Sequence, residues 1–217
     1  MCDALVWSFD AITSLPWLEI VKATAPVVTA VIAFLALKNW KRQDKAKRQA
    51  EFLDELIETA HAYIAEMSKP VALVRFVSIG MESHAPLLEG GDQSVKGAIA
   101  YIAKRGVEDS KHLLAALEVV QSATIRLRSL VAKGQVFKFD GFAKCQNAVA
   151  KLTLQCDKLG TLTAFIASPS WNWENPEVLS HLRNLMAIKA DDILKSFAED
   201  NVAILEFVVE TYGRIYG

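Results

Sequence analysis

Apolar positions in this chain recur at steps of three and four, the period of an α-helix. Nowhere do they show the sustained alternation that a half-buried strand requires. Between residues 23 and 37 the periodicity gives way to a continuous apolar run, ATAPVVTAVIAFLAL. After it, Leu53, Leu56, Ile57, Ala60, Ile64 and Met67 mark one helical face, and Lys69-Pro70 predicts its end. Residues 71–84 read as a shorter helix, stopped by Pro86 and Gly90-Gly91. Over residues 93–133 the positions Leu113, Leu117, Val120, Thr124, Leu127 and Val131 alternate in heptad fashion, and Gly106 is expected to break or bend that segment. Residues 140–167 repeat the seam through Phe142, Cys145, Val149, Leu152, Cys156, Leu159, Thr163 and Ile166. The stretch SPSWNWEN, 168–175, predicts a loop. Pro176 then suits the first position of a last helix to about Tyr212, buried through Leu182, Met186, Ile193, Phe197, Ile204 and Val208.

The apolar run predicts a membrane span with aromatic edges, since Trp17 and Trp40 stand on either side of it. Its length covers only about 22 Å of a hydrocarbon core of roughly 30 Å, so Trp17, Leu18, Ile20 and Val21 must join it. Glu19 and Lys22 then fall at the boundary, spaced to face one another, and Pro26 predicts a local kink. A run this short also suits the buried helix of a soluble core. The flanks favour the membrane. Residues 38–48, KNWKRQDKAKR, carry six basic residues against one Asp, whereas residues 1–21 carry Asp3, Asp10 and Glu19 and no base. This is the positive-inside pattern, with the N-terminus outside; a cleaved signal peptide requires the reverse order. The fold expected is all-α: a short extracytoplasmic segment 1–15, a transmembrane helix 16–40, and an antiparallel cytoplasmic helical bundle 41–217 packed through the heptad seams.

Composition agrees with this division. The chain is 52% hydrophobic and 23% charged, with a mean hydropathy of +0.22, which is high for one soluble domain and natural for one that carries a span. The collar of residues 38–48 is +5, which leaves −6 for the remainder of a chain whose net charge is −1. Lys38, Lys41, Arg42 and Lys45 therefore lie where anionic lipid headgroups are expected, and the collar lacks the aromatic and glycine interleaving that nucleic-acid binding would call for. Three cysteines, Cys2, Cys145 and Cys156, form no CxxC and fit a reducing compartment. Cys145 and Cys156 on one helix stand about 16 Å apart, beyond disulfide reach, and read as small core residues. Cys2 has neither a lipobox nor a myristoylation start beside it.

Chemistry-bearing spacings are few. Glu58-x-x-His61 matches one half of a di-metal bundle site and Asp109-x-x-His112 echoes it. The apolar face of the first helix centres on Leu53, Ala60 and Met67, which turns Glu58 about 160° and His61 about 100° away from it, so both read as solvated. His84 and His181 have no ligand at metal-binding spacing, and Gly90-Gly91 lacks the lysine and hydroxyl of a phosphate loop. The adjacent acids Asp54-Glu55 and Asp191-Asp192 splay by 100° and cannot share a proton. No cofactor, no metal and no catalysis are expected. Trp171 and Trp173 stand out in a polar loop, where they read as a cap on the end of the bundle core, a partner surface or a contact with the lipid interface. Counting one chain reversal at each predicted break delivers that loop to the membrane-proximal end, where both rings would sit at headgroup level.

The stretch Trp40, Lys41, Gln43, Ala50 to Leu56 and Tyr63, reading WKRQ, then AEFLDEL and HAYI, resembles uncharacterised bacterial single-pass inner-membrane proteins over about residues 23–67. The resemblance implies a short anchor leading through a basic collar into a helical cytoplasmic domain, and a Gram-negative inner membrane. The architecture is also similar to small membrane effectors encoded beside anti-phage systems. Three roles follow as expectations. The first is an anchored interaction, scaffold or signalling module that binds a protein partner or itself. The second is an effector that oligomerises and perturbs the membrane, and the third is a metal enzyme housed in the bundle.

Overall fold

The computed structural model describes residues 17–85 and 92–217, with side chains from residue 21 onward, and every regular element among them is helical. Two compact units are formed, Met1–Arg48 and Gln49–Gly217. Helix α1, Trp17–Ser83, contributes to both. It is followed by α2, Gln93–Tyr101, a π-helical turn Ile102–Gly106, and α3, Val107–Phe137. Then come α4, Phe142–Ile166, α5, Pro176–Met186, and α6, Ala190–Tyr216. Segment 1–15, with Cys2, and the Pro86 and Gly90-Gly91 stops lie outside the described residues.

Helix α1 corrects the break expected at Lys69-Pro70, because it continues through Pro70 for thirteen further residues to Ser83. A proline inside a helix removes one backbone hydrogen bond and costs about 3 kcal/mol. Here Pro70 is itself buried, and Val71, Val74, Val77 and Met81 beyond it are all 4% exposed or less. Burying four such side chains contributes on the order of 1.5–3 kcal/mol each, enough to carry the helix past the defect. The separate helix expected over 71–84 is thus the last four turns of α1.

The heptad seams are largely buried. Leu113, Leu117, Val120, Thr124 and Leu127 of α3 are buried, as are Phe142, Cys145, Val149, Leu152, Leu159, Thr163 and Ile166 of α4, while Val131 and Cys156 are half-buried. Phe52 of α1 gathers the rings of Phe137, Phe139 and Phe142 at centroid distances of 5.3, 5.5 and 6.3 Å, and Phe207 of α6 lies 5.4 Å from Phe142. This aromatic cluster fills one end of the unit Gln49–Gly217. At the opposite end Gly106 meets the C-terminus of α4. A Cβ built there would stand 2.3 Å from the Ile166 carbonyl oxygen, so the helices approach more closely than any side chain permits. Gly106 ends the π-helical turn between α2 and α3, so the break or bend expected at this glycine takes the form of a change of helical hydrogen bonding.

The last helix is also corrected. It stops at Met186 and restarts at Ala190, with Lys189 extended between them. The break lets Ile188 pack against the core and leaves Ala190 buried, which a continuous helix at this position would not allow for both. Asn175 caps α5 by accepting from the Glu177 backbone N–H at 2.8 Å, and Pro176 sits in the first turn as expected.

Candidate functional sites

In the unit Met1–Arg48 the described side chains of residues 21–42 are all exposed. A helix whose apolar run is covered by nothing among the described residues is the reverse of a core helix. Val27, Val28, Val31, Ile32, Phe34 and Leu35 all stand in the open. The hydroxyl of Thr29 donates back to the Ala25 carbonyl at 2.8 Å, so the polar atom is satisfied inside the helix and demands no outside partner. Helix α1 also continues through Pro26, whose missing N–H would have bonded the Lys22 carbonyl, at the polar edge of the run. One helix among the described residues is long and apolar enough to cross a membrane, and it is this one.

Four of the collar cations form a stripe. Lys38, Lys41, Arg42 and Lys45 are spaced i, i+3, i+4, i+7, which confines them to an arc of about 100°. All four are exposed and none makes an ion pair among the described residues, whereas Arg48 is taken by Asp44 at 3.0 Å. The stripe is therefore free to meet external anions. Trp40 is exposed on the far side of the helix from it. Trp17 begins α1, and its side chain lies outside the described set.

The reversal count behind the placement expected for Trp171 and Trp173 included a break at Pro70 that α1 does not make. Their loop follows Ile166, beside Gly106, at the end of the unit Gln49–Gly217 opposite Phe52 and the start of that unit. The Trp171 indole N–H donates to the Phe165 carbonyl at 2.9 Å, its ring stacks on Phe165 at 5.1 Å, and Trp173 meets Phe165 edge-on at 6.1 Å. The pair packs over the C-terminus of α4, where the indole N–H adds a second donor to a carbonyl that already accepts from the Ser168 N–H at 3.3 Å.

Glu58 and His61 are exposed, as the face argument requires, and so is His181. No group of three His, Cys, Asp or Glu among the described residues is placed to hold a metal ion. Asp109 and His112 do line a cleft of about 370 Å³ with His84, Tyr101 and Arg105, over an apolar wall of Leu73, Phe76 and Val77. Within it Asp109 is already committed. One carboxylate oxygen accepts from the Tyr101 hydroxyl at 2.6 Å and the other from Arg105 at 3.5 Å. Burial and the adjacent Asp109 carboxylate push the Tyr101 phenol well above its ordinary range. His84 Nδ1 lies 2.8 Å from the Gly80 carbonyl, which fixes the ring against Tyr101.

Sequence spacing could not have found the Tyr101–Asp109 pair. Residues eight apart on an α-helix differ by about 80° in facing, and the intervening π-helical turn takes up roughly one extra residue and aligns them. A second feature missed in the sequence is Asp200, buried on α6 among core residues. It accepts from Ser196 Oγ at 3.1 Å and lies 3.9 Å from the Lys151 ammonium, and burial raises its carboxyl above the usual range.

Compared with known protein families, curated proteins and solved structures, the chain matches none.

Proposed function

We propose that this protein is a single-pass protein of a bacterial inner membrane. In this reading its N-terminus is outside, and residues 41–217 form an antiparallel cytoplasmic bundle that binds a protein partner or a second copy, without catalysis of its own. The observation that carries the reading is the full exposure of the apolar run in α1, directly followed by four unpaired cations on one helical face. Hydrocarbon is the medium such a run suits, and each cation beside an anionic leaflet contributes about 1 kcal/mol of attraction. The charge asymmetry across the run supports the orientation. The antiparallel arrangement is supported by Phe52 meeting both the end of α3 and the start of α4, while Arg75, later in α1, pairs with Asp191 at the start of α6. An interaction role is supported by the commitment of the cleft's carboxylate to internal partners.

Fusions test the reading. A reporter active only in the cytoplasm is expected to work after Gly217 and to fail before Asp3. Recovery of the chain in the soluble fraction sinks the span, and activity of the N-terminal fusion sinks the orientation. Replacing Lys38, Lys41, Arg42 and Lys45 together by Gln is expected to weaken retention of the native topology. An unchanged topology in that variant removes the basic stripe from the account.

A further inference from the structure

The cleft beside the π-helical turn has two unlike walls. The last turns of α1 contribute Leu73, Phe76 and Val77, while the turn and α3 contribute Arg105, Asp109 and His112. Phe76 is 69% exposed, a large ring that its own unit leaves mostly uncovered. Tyr101 lies against α1 because position 80 is glycine, where any Cβ would run into its ring. A volume of about 370 Å³ suits a small molecule, and a few polar groups over apolar surface are the usual lining of such a site. The π-helical turn makes the arrangement, since it holds Arg105 itself and brings Asp109 round to the Tyr101 hydroxyl. Turns of this kind frequently mark functional sites.

The hydrogen-bonding capacity left over in the cleft decides what it can take. Asp109 is engaged at both oxygens, one accepting from the Tyr101 hydroxyl at 2.6 Å and the other facing Arg105. His84 is tied through Nδ1 to the Gly80 carbonyl at 2.8 Å and stands edge-on to Tyr101. Arg105 is barely engaged. Its Nη2 alone has partners, at 3.5 Å from Asp109 and 3.8 Å from the exposed Glu108, and Nε and Nη1 donate to nothing among the described residues. At such distances and exposures these pairs hold the guanidinium weakly. His112, seven residues on along the same helical stripe, also bonds to nothing among the described residues. The unspent groups are chiefly donors, and the strongest of them is a planar guanidinium fork.

We propose that this cleft binds a small monocarboxylate with an aryl or short alkyl body, its carboxylate on the Arg105 fork and its body against Phe76 and Leu73. A carboxylate matches the fork with two parallel charge-assisted bonds, and one guanidinium balances one negative charge. The apolar wall of α1 asks for an apolar end, which inorganic phosphate lacks. A cation would have to displace Tyr101 or Arg105 from Asp109, the one carboxylate among the described lining residues. Asp109 is then a positioning residue, holding Arg105 at the cleft from the Tyr101 side. The site goes beyond the interaction role proposed above, and it lies wholly within Gln49–Gly217, so it does not depend on the anchor.

The test is calorimetric titration of the full chain in detergent micelles with sodium benzoate and with sodium hexanoate, each corrected for micelles alone. Saturation by either probe at one per chain is expected, with the matching neutral amide at least about tenfold weaker, as the loss of a charge-assisted bond implies. Arg105→Gln should weaken the carboxylate by a similar factor, and Arg105→Lys, which keeps the charge without the fork, should fall between. Phe76→Ala should weaken it severalfold. Lys104→Gln, exposed and outside the lining, should change nothing. All four replaced side chains are exposed, so the far-ultraviolet helical signal should persist throughout. Saturation by neither probe overturns the proposal. So does an amide that binds as well as its acid, an unchanged affinity in Arg105→Gln, an equal loss in Lys104→Gln, or inorganic phosphate that binds as tightly as the carboxylate.

Discussion

The Tyr63 hydroxyl donates a 2.6 Å hydrogen bond to the Leu152 carbonyl, tying α1 to α4 in the middle of the core. Both side chains are fully buried, and the Tyr63 ring also meets Phe197 of α6 edge-on at 6.0 Å. One residue therefore joins three helices.

Tyr63→Phe keeps the ring and removes the bond, and it is expected to cost about 0.5–1.5 kcal/mol in chemical denaturation. The variant also reports on pH. Burial raises the Tyr63 phenol above its ordinary value of 10.0, so its contribution is fully present below pH 10 and is lost as pH rises beyond that. Wild type is expected to lose stability faster than Tyr63→Phe above pH 10, and parallel curves would remove Tyr63 from the alkaline transition.

Two glycines are expected to respond in opposite senses to alanine. At Gly106 the new Cβ would stand 2.3 Å from a backbone oxygen, which cannot give way as a flexible side chain can, so Gly106→Ala should destabilise by roughly 1–3 kcal/mol. At Gly160, inside α4, nothing lies within 4 Å, and Gly160→Ala should gain up to about 1 kcal/mol of helix propensity. Thermal melts of the two variants decide the matter, and a stabilising Gly106→Ala would remove the close approach as the reason for glycine there.

Asp200 is expected to be better replaced by its amide at neutral pH. Its carboxyl has a raised pKa because burial disfavours the charge, so the residue favours folding below pH 3.8 and opposes it above the raised pKa. Asp200→Asn keeps an acceptor for Ser196 and should raise the melting temperature at pH 7, an advantage that vanishes as pH falls through 3.8. A lower melting temperature at pH 7 would mean that the Lys151 contact outweighs burial.

Leu152 and the exposed Glu58 and His61 set the scale between core and surface. Leu152→Ala is expected to cost about 2–5 kcal/mol, and Leu152→Asp to unfold the unit. Glu58→Ala and His61→Ala should each remain within about 0.5 kcal/mol of wild type. A large loss in either alanine variant would point to a contact that their exposure does not suggest.

Helix faces were legible in the sequence because the α-helical period is a local property. Leu113 to Leu127, Phe142 to Ile166 and Ile193 to Val208 were placed on the buried side by spacing alone, and every named position in them is buried except Cys156, which is half-buried. The exposed apolar run and its one-sided cations were legible for the same reason. The Tyr101–Asp109 pair was not, since it depends on a π-helical turn that no spacing rule anticipates. Nor was Asp200, whose charge sits where periodicity expects an apolar side chain.

By itself the sequence determined the helical class, the inward face of each helix, the apolar run and the sign of its flanks, since each follows from residues within a few turns of one another. Tertiary structure decided where α1 and α5 end and which helix ends meet. A proline's defect of about 3 kcal/mol stops a helix in isolation, but at Pro70 it is outweighed by the burial of Val71, Val74, Val77 and Met81 against distant segments. That one balance removed a chain reversal, whereas Trp171 and Trp173 meet Phe165 through contacts local to their own loop. Continuity of a helix through a weak point depends on what packs on its far side, and this is a long-range quantity that local sequence does not contain.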